Sequence, residues 1–268
     1  MKKDINLESS LENLNFNVAI LAVGTEITTG QILNSNTQWL SQELFKEGFA
    51  ITHHMAVPDD HELIYNALKF LTFTCSCNLI FVTGGLGPTT DDFTREVVAK
   101  FVKQPLNWSE DNWARVVAKL NFKSVQIRDM HKNQSYFPKD AIILENQVGT
   151  ADGFSINFQG LNLIQVYVLP GPPKELQNIY TNEILPKIKN LVPENLKWTQ
   201  IIYTTTGLPE SEVAASVNSV LSKEDSQLIA YRVHKPMVDV KLIFQKKDQQ
   251  KFDLIAQKIH KALKDHLV

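Results

Sequence analysis

The sequence predicts an α/β protein that has a larger part built on a mainly parallel β-sheet and a smaller α+β part. Apolar strands alternate with amphipathic helices from residue 16 to about residue 102, which is typical of βαβ units with helices on both faces of a sheet. The pattern changes after the linker-like segment Pro193-Glu194-Asn195. We therefore divide the 268 residues into an N-terminal extension (1–15), a large domain (16–192) and a small domain (193–268).

Short apolar runs and helical spacing of apolar residues define the elements of the large domain. The predicted strands are 16–23, 49–57, 79–83, 141–144, 153–158 and 163–169. The predicted helices are 34–47, 61–72, 94–102, 108–122 and 173–180. Gly48 follows the first helix, and Pro172 and Pro173 open the last one, as is common at helix ends.

The small domain has a different order of elements. Its predicted strands are 199–206, 228–233 and 237–245, and its predicted helices are 209–221 and 248–267. This β-α-β-β-α order predicts a small α+β module.

Composition excludes several classes of protein. The net charge is −2, so no global basic field exists to bind nucleic acid, and an anion site must be local. Cys75 and Cys77 are the only cysteines in the sequence, which are too few for a disulfide scaffold or a zinc site. Residues 1–15 lack the apolar core of a signal peptide, and no run reaches the roughly 18 apolar residues of a membrane-spanning helix. We expect a cytoplasmic protein that has no membrane partner.

Three unusual loops follow predicted strands. They are Gly24-Thr25-Glu26, Pro58-Asp59-Asp60 and the segment from Gly84 to Asp92. Because ligands of open α/β sheets bind beyond the carboxyl ends of the strands, we expect these loops to meet at one edge of the sheet.

The third loop carries three glycines, Gly84, Gly85 and Gly87, within four residues. Glycine permits positive φ and close approach of the backbone to a ligand, and exposed N–H groups before a helix bind anions. The alternative is a plain tight turn with Asp91 or Asp92 as a helix cap. The Pro170-Gly171-Pro172-Pro173 turn is a second candidate phosphate site, and a purely structural turn is the alternative there.

Four acidic residues lie on the predicted edge: Glu26, Asp59, Asp91 and Asp92. Carboxylates beside phosphates usually share a divalent ion, because like charges repel. We therefore predict a metal site at Asp59, Asp91 and Asp92. The alternative is a set of solvated loop acids.

Several spaced motifs resemble the N-terminal domain of the CinA family over about residues 17 to 190. They are Val23-Gly24-Thr25-Glu26, Gly30-Gln31-Ile32, Asn34-Ser35-Asn36, Thr83-Gly84-Gly85-Leu86-Gly87-Pro88-Thr89, Asp91-Asp92-Phe93-Thr94, Gln134 with Pro138, Asn146-Gln147-Val148-Gly149-Thr150 and Leu169-Pro170-Gly171-Pro172-Pro173. The small domain, with Gly207-Leu208-Pro209-Glu210-Ser211, resembles the family's KH-like second domain. It has no Gly-x-x-Gly loop and no basic aromatic surface, so we expect no nucleic-acid binding.

The resemblance implies a three-layer MoaB/Mog-like, molybdopterin-binding fold in which Asp59 and Asp92 match the two aspartates of pterin chemistry. It also implies metal-dependent hydrolysis of the pyrophosphate of ADP-ribose, or of FAD in related domains. The implied cofactor is Mg²⁺, Mn²⁺ or Co²⁺, with K⁺ as a further candidate. No organic cofactor is expected, although molybdopterin is a candidate ligand. Relatives assemble as dimers or trimers, so a homo-oligomer is expected.

The sequence departs from the family pattern in three ways. His131-Lys132-Asn133-Gln134-Ser135 stands where Asn-Arg-Lys-Gln-Ala is usual, and Asp152 stands where Pro is common. A cation lost beside a phosphate weakens transition-state stabilisation. The chain also ends before the amidohydrolase domain of longer members, so that activity is expected to be absent.

We predict a nucleotide pyrophosphatase with Asp59 and Asp92 as catalytic residues. A molybdopterin-binding or adenylyl-transferring protein and a non-catalytic nucleotide-binding protein are the alternatives. The predicted ligand-binding and phosphate-binding residues are Gly24, Thr25, Glu26, Asn36, Thr83, Gly84, Gly85, Leu86, Gly87, Gln134, Gly149, Thr150, Pro170, Gly171 and Pro172.

Overall fold

The computed structural model describes residues 16–120, 125–160 and 163–268. The predicted N-terminal extension lies outside the described residues. The chain folds into two compact units, the first ending at Leu191 and the second spanning Val192–Val268. None of the described helices is both long and apolar enough to cross a bilayer.

The first unit contains eight strands among the described residues. They are β1 Val18–Val23, β2 Ile51–Val57, β3 Leu79–Thr83, β4 Leu106–Trp108, β5 Tyr136–Pro138, β6 Ile142–Leu144, β7 Gly153–Gln159 and β8 Leu163–Leu169. Its described α-helices are α1 Thr25–Thr28, α2 Ser35–Lys46, α3 His61–Lys69, α4 Thr94–Phe101, α5 Glu110–Lys119, α6 Val125–His131, α7 Pro173–Ile179 and α8 Leu185–Ile188.

Six strands form the central sheet in the order β2-β1-β3-β8-β7-β6. The first four are parallel to one another, and β7 is antiparallel to both of its neighbours, β8 and β6. The mainly parallel α/β sheet predicted from the sequence is therefore confirmed. The last residues of the parallel strands are level with one another, since Val23 pairs with Val57 and Thr83 pairs with Leu169. The loops after these strands consequently leave from one edge.

The sheet is covered on both faces. Every residue of β1 and β3 is buried, which requires apolar partners above and below because side chains alternate between the two faces of a strand. On one face, Leu21 and Val82 lie in a core that includes Ile64 of α3 and Val98 of α4. This explains why the strands are continuous apolar runs rather than alternating ones.

Two predicted helices of the first unit are wrong in extent. The helix predicted at 108–122 begins at Glu110, because Trp108 pairs with Tyr136 in the β4–β5 ribbon and Ser109 accepts a hydrogen bond from the backbone N–H of Asn112. The helix predicted at 61–72 is α-helical only to Lys69 and continues as a π-helix, Phe70–Thr74. Helices α1, α6 and α8 and strands β4 and β5 were not predicted; they are too short for periodicity to indicate them.

The second unit has a three-stranded antiparallel sheet in the order β10-β11-β9. Its strands are β9 Trp198–Thr206, β10 Ile229–His234 and β11 Met237–Gln245, and its α-helices are α9 Glu210–Asn218, α10 Lys223–Ser226 and α11 Gln249–Leu263. Val238, Val240 and Leu242 of β11 are buried against Ile255 and Ile259 of α11. The predicted β-α-β-β-α order is present, with α10 as an additional short helix.

Candidate functional site

A cleft of about 530 Å³ opens at the carboxyl edge of the parallel strands. Loops after β1, β2, β3 and β8 line it, as expected if these strand ends are level. The predicted site residues on its wall are Gly24, Glu26, Asn36, Asp59, Thr83, Gly84, Gly85, Leu86, Gly87, Asp91, Asp92, Gln134, Thr150, Pro170, Gly171 and Pro172. Thr25 and Gly149, which were also predicted to bind the ligand, are not on the wall.

The turn after β3 requires glycine at two positions. Gly84 has φ 99° and Gly85 has φ 66°, values that side chains strongly disfavour. A Cβ atom on Gly84 would lie 2.1 Å from the carbonyl oxygen of Val23, and the Gly84 N–H donates to the carbonyl of Leu169 at 2.9 Å. The turn is therefore held between β1 and β8 by its own backbone.

The glycine turn also carries two backbone amides that the described residues leave unpaired. The N–H groups of Gly85 and Leu86 donate to no acceptor among the described residues, and both residues line the cleft. The Leu86 side chain is buried and anchors the turn. Consecutive free amides in a glycine turn are a favourable site for an anion.

Arg95, which the sequence analysis did not identify, lies behind the turn. It is only 3% exposed, and its Nη2 atom donates to the carbonyl of Leu86 at 2.9 Å. Burial lowers the pKa of Arg95 to about 10, and the negative charges of Asp92 and Asp152 oppose this. The guanidinium thus remains charged at neutral pH and places a positive charge behind the glycine turn. Arg95 stands three residues before the apolar Val98, so the two share one face of the predicted helix. This spacing was the signal in the sequence that Arg95 is buried.

Asp92 shapes the turn. Its Oδ1 accepts from the Gly87 N–H at 2.8 Å, and its Oδ2 accepts from the Thr89 N–H at 2.8 Å. The Thr89 hydroxyl also donates to both Asp92 and Asp91. This hydroxyl and the Asp91 amide lower the pKa of Asp91. These hydrogen bonds close the loop from Gly87 to Asp92 on itself. The catalytic role of Asp92 remains a prediction.

Asp59 is held by the loop after β1. Its Oδ2 accepts from the Thr25 N–H at 2.7 Å and from the Thr25 hydroxyl at 2.9 Å. Thr25, predicted as a ligand-binding residue, therefore orients Asp59 instead of lining the cleft. Asp59 Oδ1 accepts no hydrogen bond from the described residues and is available on the cleft wall.

The three predicted metal ligands line the same cleft but do not complete a metal site by themselves. Within the described part of the chain, no group of three or more His, Cys, Asp or Glu side chains is arranged to hold a metal ion. The carboxylates of Asp91 and Asp92 are directed toward Thr89 and Gly87, which accounts for this.

Two amide side chains link the remaining walls. Asn36 Nδ2 donates to the Gly171 carbonyl at 2.7 Å and so joins α2 to the proline-rich turn after β8. The oxygens Asn36 Oδ1 and Gln134 Oε1 are buried and have no partner among the described residues. A buried acceptor without a donor costs free energy, so these amides favour a site completed by a ligand.

Glu175 is a second cleft residue that the sequence analysis missed. It lies in the first turn of α7, and its Oε2 accepts from Asn146 Nδ2 at 2.5 Å. A Cβ atom on Gly149 would lie 2.2 Å from the Glu175 carboxyl carbon. Gly149, predicted to bind the ligand, instead makes room for this carboxylate. In the sequence, Glu175 follows the Pro172-Pro173 pair by two residues, which places it in the first turn of the helix that the prolines open. This position was the available signal.

A family model described as "Probable molybdopterin binding domain" matches residues 19–190. The protein CinA from Thermoplasma acidophilum, whose function is given as unknown, has a similar structure: the TM-score is 0.56 at 29% identity, and the match covers 65% of this chain and 97% of that one. The chain belongs to the CinA family of MoaB/Mog-like proteins.

Relatives of this chain include two clostridial proteins, each described as "Putative competence-damage inducible protein". The protein of Clostridium botulinum (strain Loch Maree / Type A3) is 37% identical over 211 residues, which are 79% of this chain and 50% of the relative. That of Clostridium perfringens (strain 13 / Type A) is 31% identical over 248 residues, which are 92% of this chain and 58% of the relative. The chain thus spans about half the length of the relatives it matches.

Proposed function

We propose that this protein is a nucleotide pyrophosphatase that hydrolyses the diphosphate linkage of ADP-ribose or a related dinucleotide. The observation that carries the proposal is the pair of free amides at Gly85 and Leu86, with the buried guanidinium of Arg95 behind them. A fixed positive charge and aligned N–H groups stabilise charge that develops on phosphoryl oxygens.

The size and composition of the cleft support a nucleotide. A volume of about 530 Å³ falls in the usual range of small-molecule sites. In this proposal the amides of the glycine turn bind phosphate oxygens, and Asn36 and Gln134 bind donor groups elsewhere on the ligand. The ligand would then supply the donors that the two buried amide oxygens lack.

The proposed divalent ion is expected to bind together with the phosphates. The protein alone offers no group of three ligands among the described residues. Mg²⁺ in proteins is commonly held by one or two carboxylates plus phosphate oxygens and water. Asp59, whose Oδ1 accepts no hydrogen bond from the described residues, is the carboxylate we propose for this role.

We expect calorimetry with Mg²⁺ or Mn²⁺ alone to show no binding at the cleft. The same titration with saturating α,β-methylene-ADP should show a site, because the diphosphate supplies the missing oxygens. Asp59→Asn should weaken the ion binding by about tenfold or more, the loss of one charged contact. Asp140→Asn, at an exposed position, is the control. A micromolar metal site on the protein alone would contradict this prediction.

The hydrolysis itself is tested by incubating the protein with ADP-ribose or FAD in the presence of Mg²⁺, Mn²⁺ or Co²⁺. We expect release of AMP, measured by chromatography. Absence of any cleaved product with all substrates and ions would reject the pyrophosphatase proposal.

A second candidate function is pterin binding with adenylyl transfer. The family model matched at residues 19–190 is described by molybdopterin binding, and this favours the candidate. Competition calorimetry with a pterin and ADP-ribose separates the two. Tighter binding of the pterin, without release of AMP from ADP-ribose, would favour the second candidate.

A further inference from the structure

Glu175, like Asp59, is a cleft acid of which only one carboxylate oxygen is held within the described protein. Only one of its oxygens, Oε2, is bound, by Asn146 Nδ2. Oε1 has no hydrogen-bond partner among the described residues, and Glu175 lines the cleft. Asp92, in contrast, uses both oxygens within its own loop. Glu175 therefore combines a place on the cleft wall with one carboxylate oxygen that is unengaged among the described residues.

The group that orients Glu175 is itself rigid. Asn146 is fully buried; its Nδ2 also donates to the Ala151 carbonyl at 3.0 Å, and its Oδ1 accepts from the Gly149 N–H at 2.8 Å. Its backbone N–H donates to Asp152 Oδ1 at 2.8 Å. A side chain with this many fixed partners cannot follow a moving carboxylate, so it determines where Glu175 points.

The electrostatic surroundings suit proton transfer. Burial raises the pKa of Glu175, and the Asn146 hydrogen bond and the Lys119 charge oppose the rise. Lys119 is engaged with the carbonyls of Asn146 and Gly149. Asp152 and Arg115, which lie behind Asn146, form an ion pair with each other at 2.6 Å. No cation bonds directly to the Glu175 carboxylate among the described residues.

We propose that Glu175 is the general base of the cleft and accepts a proton from the water that attacks the diphosphate. This inference rests on the proposed pyrophosphatase function. The water oxygen forms a bond to one phosphorus, and the bond from that phosphorus to the bridging oxygen breaks. The bridging oxygen leaves with the electron pair on the second phosphate. The proton removed from water passes to Glu175 Oε1 and then to solvent.

The experiment compares wild type with Glu175→Gln and Glu175→Asp on ADP-ribose across pH. Glutamine keeps an oxygen that accepts from Asn146 but takes no proton, so kcat should fall about 100-fold or more while KM changes little. A general base acts only when ionised, so the wild-type rate should rise with pH through a pKa above the ordinary glutamate value and be lost below it. This acidic limb should be absent in Glu175→Gln.

Two further variants complete the test. Compared with Glu175→Gln, Glu175→Asp should restore part of kcat and the fall in rate at low pH. If the glutamine variant does not fold, the pH profile of Glu175→Asp tests the inference: an acidic limb supports it, and the absence of one contradicts it. Glu110→Gln, at an exposed position of α5, should behave as wild type. A Glu175→Gln protein that keeps its rate and its acidic limb would overturn this inference and leave the pyrophosphatase function intact. A wild-type protein without hydrolysis would overturn both, which distinguishes the two failures.

Discussion

Gly84→Ala is expected to destroy the anion site and to destabilise the first unit by about 3 kcal/mol or more. The added Cβ would lie 2.1 Å from the Val23 carbonyl oxygen, which is backbone of the buried strand β1 and cannot move aside. The φ of 99° adds strain. Displacement of the turn would also break the Gly84 N–H bond to Leu169. We expect affinity for ADP to fall by about 100-fold, the contribution of two hydrogen bonds to a charged group.

Gly30→Ala is the matched control for this prediction. Gly30 has φ 74°, but a Cβ there would meet no atom within 4 Å. Gly30→Ala should therefore lower the free energy of unfolding only by the strain of positive φ, about 1 kcal/mol, and leave ADP binding intact. Urea unfolding and calorimetry measure both effects. Equal stability losses in the two variants would show that the contact with Val23 does not determine the need for glycine at position 84.

Asp152→Ala is expected to lower the free energy of unfolding by about 3 kcal/mol or more. Asp152 is 1% exposed and accepts from Asn112 Nδ2 at 2.7 Å, Arg115 Nη2 at 2.6 Å and the Asn146 N–H at 2.8 Å. Alanine would leave all three donors without their acceptor, and Asn112 and Asn146 are fully buried. Desolvated donors cost more than the hydrogen bonds themselves contribute.

Asp140→Ala, at an exposed position, is the control and should change stability by less than about 0.5 kcal/mol. Because Asn146 orients Glu175, Asp152→Ala should also lower kcat on ADP-ribose. The three hydrogen bonds suggest why aspartate is accepted where the family commonly has proline: Asn112 and Arg115 supply its partners. Thermal unfolding that is unchanged in Asp152→Ala would contradict this account.

Much of the site can be predicted from the sequence because the loops that follow parallel strands leave from the same edge of the sheet. Continuous apolar runs at 18–23 and 79–83 specify buried strands, and parallel strands bring the loops after them to one edge. Gly84, Asp59 and the turn at Pro170 therefore had to meet if the strands were neighbours. The glycine spacing also indicated a backbone with positive φ, as Gly84 and Gly85 have.

The roles of individual side chains were not accessible in this way. The hydrogen bonds that Asp92 accepts from Gly87 and Thr89 could not be predicted from the sequence, and its role toward a ligand or metal stays a prediction. Thr25 and Gly149 were predicted to bind the ligand; Thr25 bonds to Asp59, and Gly149 leaves room for Glu175. In each case the residue type suits both roles, and only the direction of the side chain distinguishes them.

The sequence by itself thus determined the mainly parallel sheet, the edge at which its loops meet and the need for glycine in the main turn. These follow from local patterns, because strand burial and positive φ depend on a few consecutive residues. Only the packing of separate elements produced the hydrogen-bonded link from Asp152 through Asn146 to Glu175. Asp152 and Arg115 are 37 positions apart, and Asn146 and Glu175 are 29 positions apart. Such contacts form only when separate elements pack, and no local pattern encodes them.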